Sequence, residues 1–97
     1  MQILISDIRL DGKTHARAGL KAEVIADYTK AMKQGDIFPP IIVFKDGDDY
    51  WLADGFYRVY AALAAGQTEI EAEVRDGNRR DALLFAVGAN SKHGLRR

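Results

Sequence analysis

The residues best suited to chemistry in this chain are Ala53-Asp54-Gly55-Phe56-Tyr57-Arg58. A β-rich run ends at Ala53, a glycine permits a tight turn, and helical spacing begins at once. The first turn of a helix offers unpaired N–H groups and a partial positive charge, which suit a phosphate. Gly55 is expected to let a ligand approach the backbone closely. Arg58 falls in that first turn, and its guanidinium fork matches phosphate oxygens. The helix dipole contributes only about 0.3–1 kcal/mol, so Arg58 must supply much of the affinity. Gly-x-x-Arg alone is a weak signal, because a glycine before a helix is common and an arginine there is ordinarily a surface residue.

Three further groups compete for attention. His15-Ala16-Arg17 lies in a glycine-containing loop, where scaffolds often carry binding residues, although an exposed polar loop explains it equally simply. Asn90, His93, Arg96 and Arg97 offer donors suited to anions, or form a solvated tail after the last helix. Asp46, Asp48, Asp49 and Asp54 match no calcium-loop spacing, and acids in a hairpin turn serve solubility and turn geometry. No metal site is expected. No phosphate-binding Gly-x-x-x-x-Gly-Lys-Ser/Thr loop occurs, and neither histidine has a cysteine to make a nucleophile–base pair. For a nuclease or a slow nucleotide hydrolase, Asp54 and His93 are the only candidate helpers, and nothing in the sequence brings them together.

These residues need a scaffold, and the patterning outlines one. Ile3, Ile5, Ile8 and Leu10 suggest an opening strand with an irregularity near Ser6-Asp7. Leu20, Val24, Tyr28 and Met32 recur every four residues, an amphipathic helix with Gly35 at its expected C-terminal cap. Pro39-Pro40 starts an extended segment. Ile41-Ile42-Val43-Phe44 and Tyr50-Trp51-Leu52-Ala53 flank an Asp-Gly turn and predict a β-hairpin. Phe56, Val59, Tyr60 and Leu63 mark a short alanine-rich helix closing at Gly66. Ile70, Ala72 and Val74 alternate with Glu69, Glu71, Glu73 and Arg75, a strand with one wet face. Asn78 can cap a last helix through Leu83, Leu84 and Val87. Strand, helix, hairpin, helix, strand, helix predicts an α+β domain, a small mixed β-sheet with packed helices.

Composition sets the limits. Ninety-seven residues allow a single domain, residues 1–97, burying roughly 60–70% of its unfolded surface. There are no cysteines, which removes disulfides, thiolate metal sites and cysteine nucleophiles. The early apolar run Ile3-Leu4-Ile5 is far too short for a signal sequence or membrane span, so no membrane partner and a cytoplasmic location are expected. Net charge is zero, which argues against a dedicated nucleic-acid domain. No acid occurs after Asp81, while Lys92, His93, Arg96 and Arg97 make the end basic. Gly94-Leu95-Arg96-Arg97 reads as a cut boundary, so the chain is expected to be a fragment of a longer protein.

Ile37-Phe38-Pro39-Pro40-Ile41-Ile42-Val43, a hairpin, then Leu52-Ala53-Asp54-Gly55-Phe56-Tyr57-Arg58 with Ala61-Ala62 and Gly66 resembles the ParB N-terminal domain of the ParB/sulfiredoxin superfamily. Arg58, Ala61 and Ala62 keep the spacing of that family's Gly-x-x-Arg-x-x-Ala-Ala segment. His15-Ala16-Arg17 stands where the family often has Gln-Pro-Arg, and Asn90 with its basic followers resembles its Asn-x-x-Arg segment. The resemblance implies a nucleotide-phosphate cradle at Gly55, Phe56, Tyr57 and Arg58, with Arg17 and Asn90 as further contacts. It implies CTP or ATP carrying Mg²⁺, a homodimer as an option, and DNA reached through a C-terminal region beyond Arg97. Sulfiredoxin activity is excluded, because the cysteine of that turn is absent. Phe56-Tyr57 replaces the Glu-Arg of many chromosome-partitioning members, so the chain looks more like a phage or plasmid ParB-like protein. Two other functions stand beside nucleotide regulation: a ParB-like nuclease or nucleotide hydrolase, and a ligand-free interaction module supported by Phe56-Tyr57 if those rings are exposed.

Overall fold

A computed structural model of the chain describes residues 1–10 and 20–95, with side chains as far as residue 88. The strands are β1 (Gln2–Leu4), β2 (Ile8–Arg9), β3 (Ile41–Asp46), β4 (Asp49–Asp54) and β5 (Glu69–Asp76). The helices are α1 (Ala22–Lys33), α2 (Phe56–Ala64) and α3 (Arg79–Leu95). The strands form one mixed sheet in the order β1-β5-β3-β4-β2. β5 runs parallel to β3 and β2 parallel to β4, while the other two pairs are antiparallel. This is the α+β architecture that the patterning predicts.

The opening strand is broken near Ser6-Asp7, at the predicted irregularity. Ile5–Asp7 form a 3-10 turn, and β1 and β2 on either side of it occupy opposite edges of the sheet. Three residues of 3-10 turn rise only about 6 Å. The outer strands of a flat five-stranded sheet would stand about 19 Å apart. The sheet must therefore curl until its two edges nearly meet at Ile5.

Both faces of the hairpin are buried, which is why β3 reads as a continuous apolar run and not an alternating one. Ile41 and Val43 on β3 and Leu52 on β4 point into one core with Ile3, Ile5, Ile8, Val59, Ala62 and Ala72. Phe44 and Ala53 point the other way, to meet Ala82, with Ile42, Trp51 and Phe85 around them. Thus α2 lies over the first face, α1 packs against α2, and α3 lies over the second. Ala61 and Ala62 are fully buried. Small side chains there let α2 lie close to α1 and the sheet together, which accounts physically for the paired alanines.

Helix ends obey local signals. Gly35, at φ 90°, ends α1 with Gly35 N–H donating to Met32 O and Asp36 N–H to Ala31 O, a Schellman closure. Asn78 caps α3 as expected: Asp81 N–H donates to Asn78 Oδ1 at 3.0 Å, and Asn78 N–H donates to Asp81 Oδ2 at 2.9 Å. The far end of α3 corrects the sequence reading. The patterning puts Asn90 and His93 in a tail after the helix, yet α3 continues to Leu95. A glycine inside a helix costs about 1 kcal/mol without ending it, so Gly88 is passed over. Ala82 and Ala86 are buried while Leu84 and Val87 are exposed, because small residues fit against the bulky Phe44 and Trp51.

Candidate functional site: the strand-to-helix turn at Asp54–Arg58

β4 reaches the site through an irregularity. Val43 pairs with Leu52 but Ile42 pairs with Asp54, so Ala53 is an extra residue in β4. Such a bulge bends a strand and re-aims the chain beyond it. Gly55 then takes a left-handed conformation, φ 103° and ψ 30°, and as the residue that opens α2 it has no side chain with which to cap the helix.

The space a side chain would fill at Gly55 is taken. An added Cβ would lie 2.5 Å from Ile41 Cγ2 and 3.2 Å from Arg58 Cζ. The sequence predicts that this glycine leaves room for a ligand; here that room holds Ile41 and the guanidinium. Gly55 is needed for its left-handed backbone and for this packing.

Arg58 is an anchored cation. Its Nη1 donates to Pro39 O at 2.7 Å and Pro40 O at 2.9 Å, and its Nη2 donates to Asp54 Oδ2 at 3.1 Å. The side chain is only 16% exposed, against 47% for Asp54. The two carbonyls belong to consecutive prolines, where the chain has no N–H of its own to form a ladder. Arg58 therefore ties the segment before β3 to the start of α2. Two of its five N–H groups, Nε–H and one on Nη2, make no hydrogen bond to a described residue.

Phe56 and Tyr57 are half-buried, not an exposed aromatic surface. Phe56 packs against the main core. The Tyr57 hydroxyl accepts the Lys21 N–H at 2.9 Å, just before α1. The Tyr57 ring lies 5.9 Å from that of Tyr28, which in turn lies 5.3 Å from that of Phe38. Three rings thus join α1, α2 and the segment leading into Pro39-Pro40.

Beside Arg58 lies a cleft of about 150 Å³, bordered by Phe38, Pro39, Asp36, Glu69 and Glu71. Three carboxylates on its rim disfavour an anion, and the volume is well below the roughly 300–1,000 Å³ of a small-molecule pocket. This cleft therefore offers Arg58 no anion entry. Two larger grooves, of about 590 and 530 Å³, run along α1 at Ile25 and Ala26 and past Leu4 and Leu63. Both are aliphatic and neither touches Arg58.

Of the residues singled out in the sequence, Gly55, Phe56, Tyr57 and Arg58 form one cluster. Arg17, with His15, lies outside the described residues, and Asn90 is placed only by its backbone on α3. Asp46 and Asp49 close the hairpin loop, remote from Asp54 at the far end of β4. Among the described residues no group of three or more His, Cys, Asp or Glu could hold a metal ion, and no helix is long and apolar enough to cross a membrane. Sequence reasoning misses the pairing of Asp54 with Arg58, although their i,i+4 spacing signals it. It also misses the proline carbonyls, which no spacing rule reaches.

Comparison with known proteins agrees with this architecture. The chromosome-partitioning protein ParB of Myxococcus xanthus is 32% identical over 90 residues, which are 93% of this chain and 30% of that protein. The chain thus spans about a third of that relative. C-terminally truncated ParB of Caulobacter crescentus complexed with CTP-gamma-S superposes with TM-score 0.74 at 18% identity, over 95% of this chain and 52% of that one. The same protein complexed to the centromeric parS site gives 0.64 at 20% identity, over 100% and 51%. Sulfiredoxin of Arabidopsis thaliana gives 0.68 at 18% identity, over 100% and 97%. The ParB N-terminal domain model matches residues 1–91, and the chain belongs to that family.

Proposed function

We propose that this chain is the nucleotide-binding regulatory domain of a ParB-like, DNA-associated protein of the phage or plasmid type. The phosphates of CTP or ATP rest on the start of α2, at Gly55, Phe56, Tyr57 and Arg58. One observation carries the reading: a helix start opened by a left-handed glycine, with an anchored guanidinium lying against Gly55. The likeness to a ParB crystallised with CTP-gamma-S supports it. Backbone N–H groups and the two remaining Arg58 donors would share the phosphate oxygens. Magnesium would travel with the nucleotide, since it keeps its waters and binds phosphates. Arg17 and Asn90 are the further contacts of this reading, and DNA would be reached through the rest of the protein in the cytoplasm. The nuclease or hydrolase alternative draws no support from the site, because Asp54 is paired with Arg58. The interaction-module alternative loses its aromatic argument, though the aliphatic groove beside Leu4 and Leu63 offers a surface for self-association.

Calorimetric titration of CTP, ATP and GTP with Mg²⁺ into the chain tests the proposal. Arg58→Lys keeps the charge and loses the fork, and should weaken binding at least about tenfold. Arg58→Ala is a poorer probe, since two proline carbonyls lose their donor and the domain should lose about 1.5–3 kcal/mol of stability. No heat with any nucleotide overturns the reading. Sedimentation at several concentrations checks the dimer.

A further inference from the structure

We infer that Asp54 is a built-in competitor for the phosphate: its carboxylate pairs with Arg58, and a ligand anion must displace it. The inference rests on the nucleotide-binding reading and deepens it, assigning a role to a residue that reading leaves unused.

The three Arg58 bonds are unequal. Two go to backbone carbonyls of Pro39 and Pro40, which the chain cannot withdraw without moving the start of β3. The third goes to a side chain, Asp54, that is 47% exposed while Arg58 is 16% exposed. The cation is fixed from below and its anionic partner sits on the solvent side. A phosphate reaching the first turn of α2 arrives on that side, because the opposite cleft is rimmed by Asp36, Glu69 and Glu71. It meets a guanidinium already neutralised and a carboxylate of its own sign. Asp54 is also the residue immediately before Gly55, so its charge lies at the mouth of the turn whichever rotamer it adopts.

Elementary electrostatics gives this carboxylate two effects. Asp54 keeps the nearly buried guanidinium paired when no ligand is bound, which protects the empty fold. It also sets a threshold: a weakly charged anion gains little by exchanging one oxygen partner for another, whereas a polyphosphate brings several. The site should therefore favour di- and triphosphates over inorganic phosphate. Asp54 acts here as a selectivity residue and not as a hydrolytic base.

The test is titration of CTP with Mg²⁺ into the parent chain, Asp54→Asn and Asp54→Ser, each checked for folding by circular dichroism. Removing the competing charge should tighten CTP binding about threefold to tenfold, to a similar degree in both variants. Inorganic pyrophosphate should gain in the same sense. Binding by the parent that is unchanged or weaker in the variants overturns the inference and leaves the nucleotide reading intact. Silence in parent and variants alike overturns both.

Discussion

Two helix starts in this small domain are built in opposite ways. At α3, Asn78 and Asp81 exchange hydrogen bonds, each side chain taking the other's backbone N–H. Such a reciprocal cap leaves little for a ligand to add. At α2, Gly55 supplies no cap and a guanidinium lies against the turn where a capping side chain would otherwise be. The first start is finished by its own sequence. The second is held in place by distant groups, Pro39, Pro40 and Ile41, while the exposed carboxylate of Asp54 pairs with its guanidinium. The contrast separates a helix start that serves the fold from one that also suits an anion.

The contrast can be broken most forcefully at Gly55. Gly55→Ala puts a Cβ 2.5 Å from Ile41 Cγ2 at a left-handed residue. Ile41 is fully buried at the core's centre and cannot withdraw. Overpacking together with the backbone penalty should cost about 2–5 kcal/mol, and urea unfolding should show the midpoint falling accordingly. A midpoint within experimental error of the parent would deny the packing role given to Gly55. Asn78→Ala sharpens the comparison from the other side. It should cost about 1 kcal/mol in the same assay and leave nucleotide affinity untouched, since it opens a helix start that no ligand uses. Altered affinity in this variant would mean that the two starts are not independent.

The smallest effect lies at the sheet edge, away from both helix starts. The Met1 ammonium hydrogen-bonds the Glu71 carboxylate, and that bond, helped by the positive charge and by Gln2, holds Glu71 below the usual carboxylate range. A lowered folded-state value means that stabilisation is present above the unfolded value and disappears as pH falls through the folded one. Glu71→Gln should therefore narrow the gap to the parent between neutral pH and strongly acidic pH. A parent–variant difference independent of pH would show that the pair contributes nothing through charge. High salt should shrink it as well.

Much of the fold is legible in the sequence because it is written in local patterns. Four-residue spacing from Leu20 to Met32, the hairpin turn and Asn78 each signal an element through neighbours a few positions away. The splitting of the first strand is only half legible. Ser6-Asp7 signals an interruption, but which sheet edge each half joins depends on strands forty to seventy residues later. The far end of α3 is misjudged from sequence because Gly88 weakens a helix without ending one. At the site, Gly55 and Arg58 are legible as a motif and not as a structure. The groups that hold Arg58, at Pro39 and Pro40, lie 19 and 18 residues upstream. Their grip comes from the path of the backbone, which side-chain spacing does not encode.

The split opening strand bears on how this domain avoids its own kind. β1 and β2 are three and two residues long and occupy the two margins of the sheet. Strands so short offer little template for an intruding chain, and the stretch of β5 beyond β1 carries Glu73, Arg75 and Asp76. These are devices that discourage edge-to-edge polymerisation. A domain kept at high local concentration can then meet its neighbours through helices and loops without fusing into a continuous cross-β ribbon.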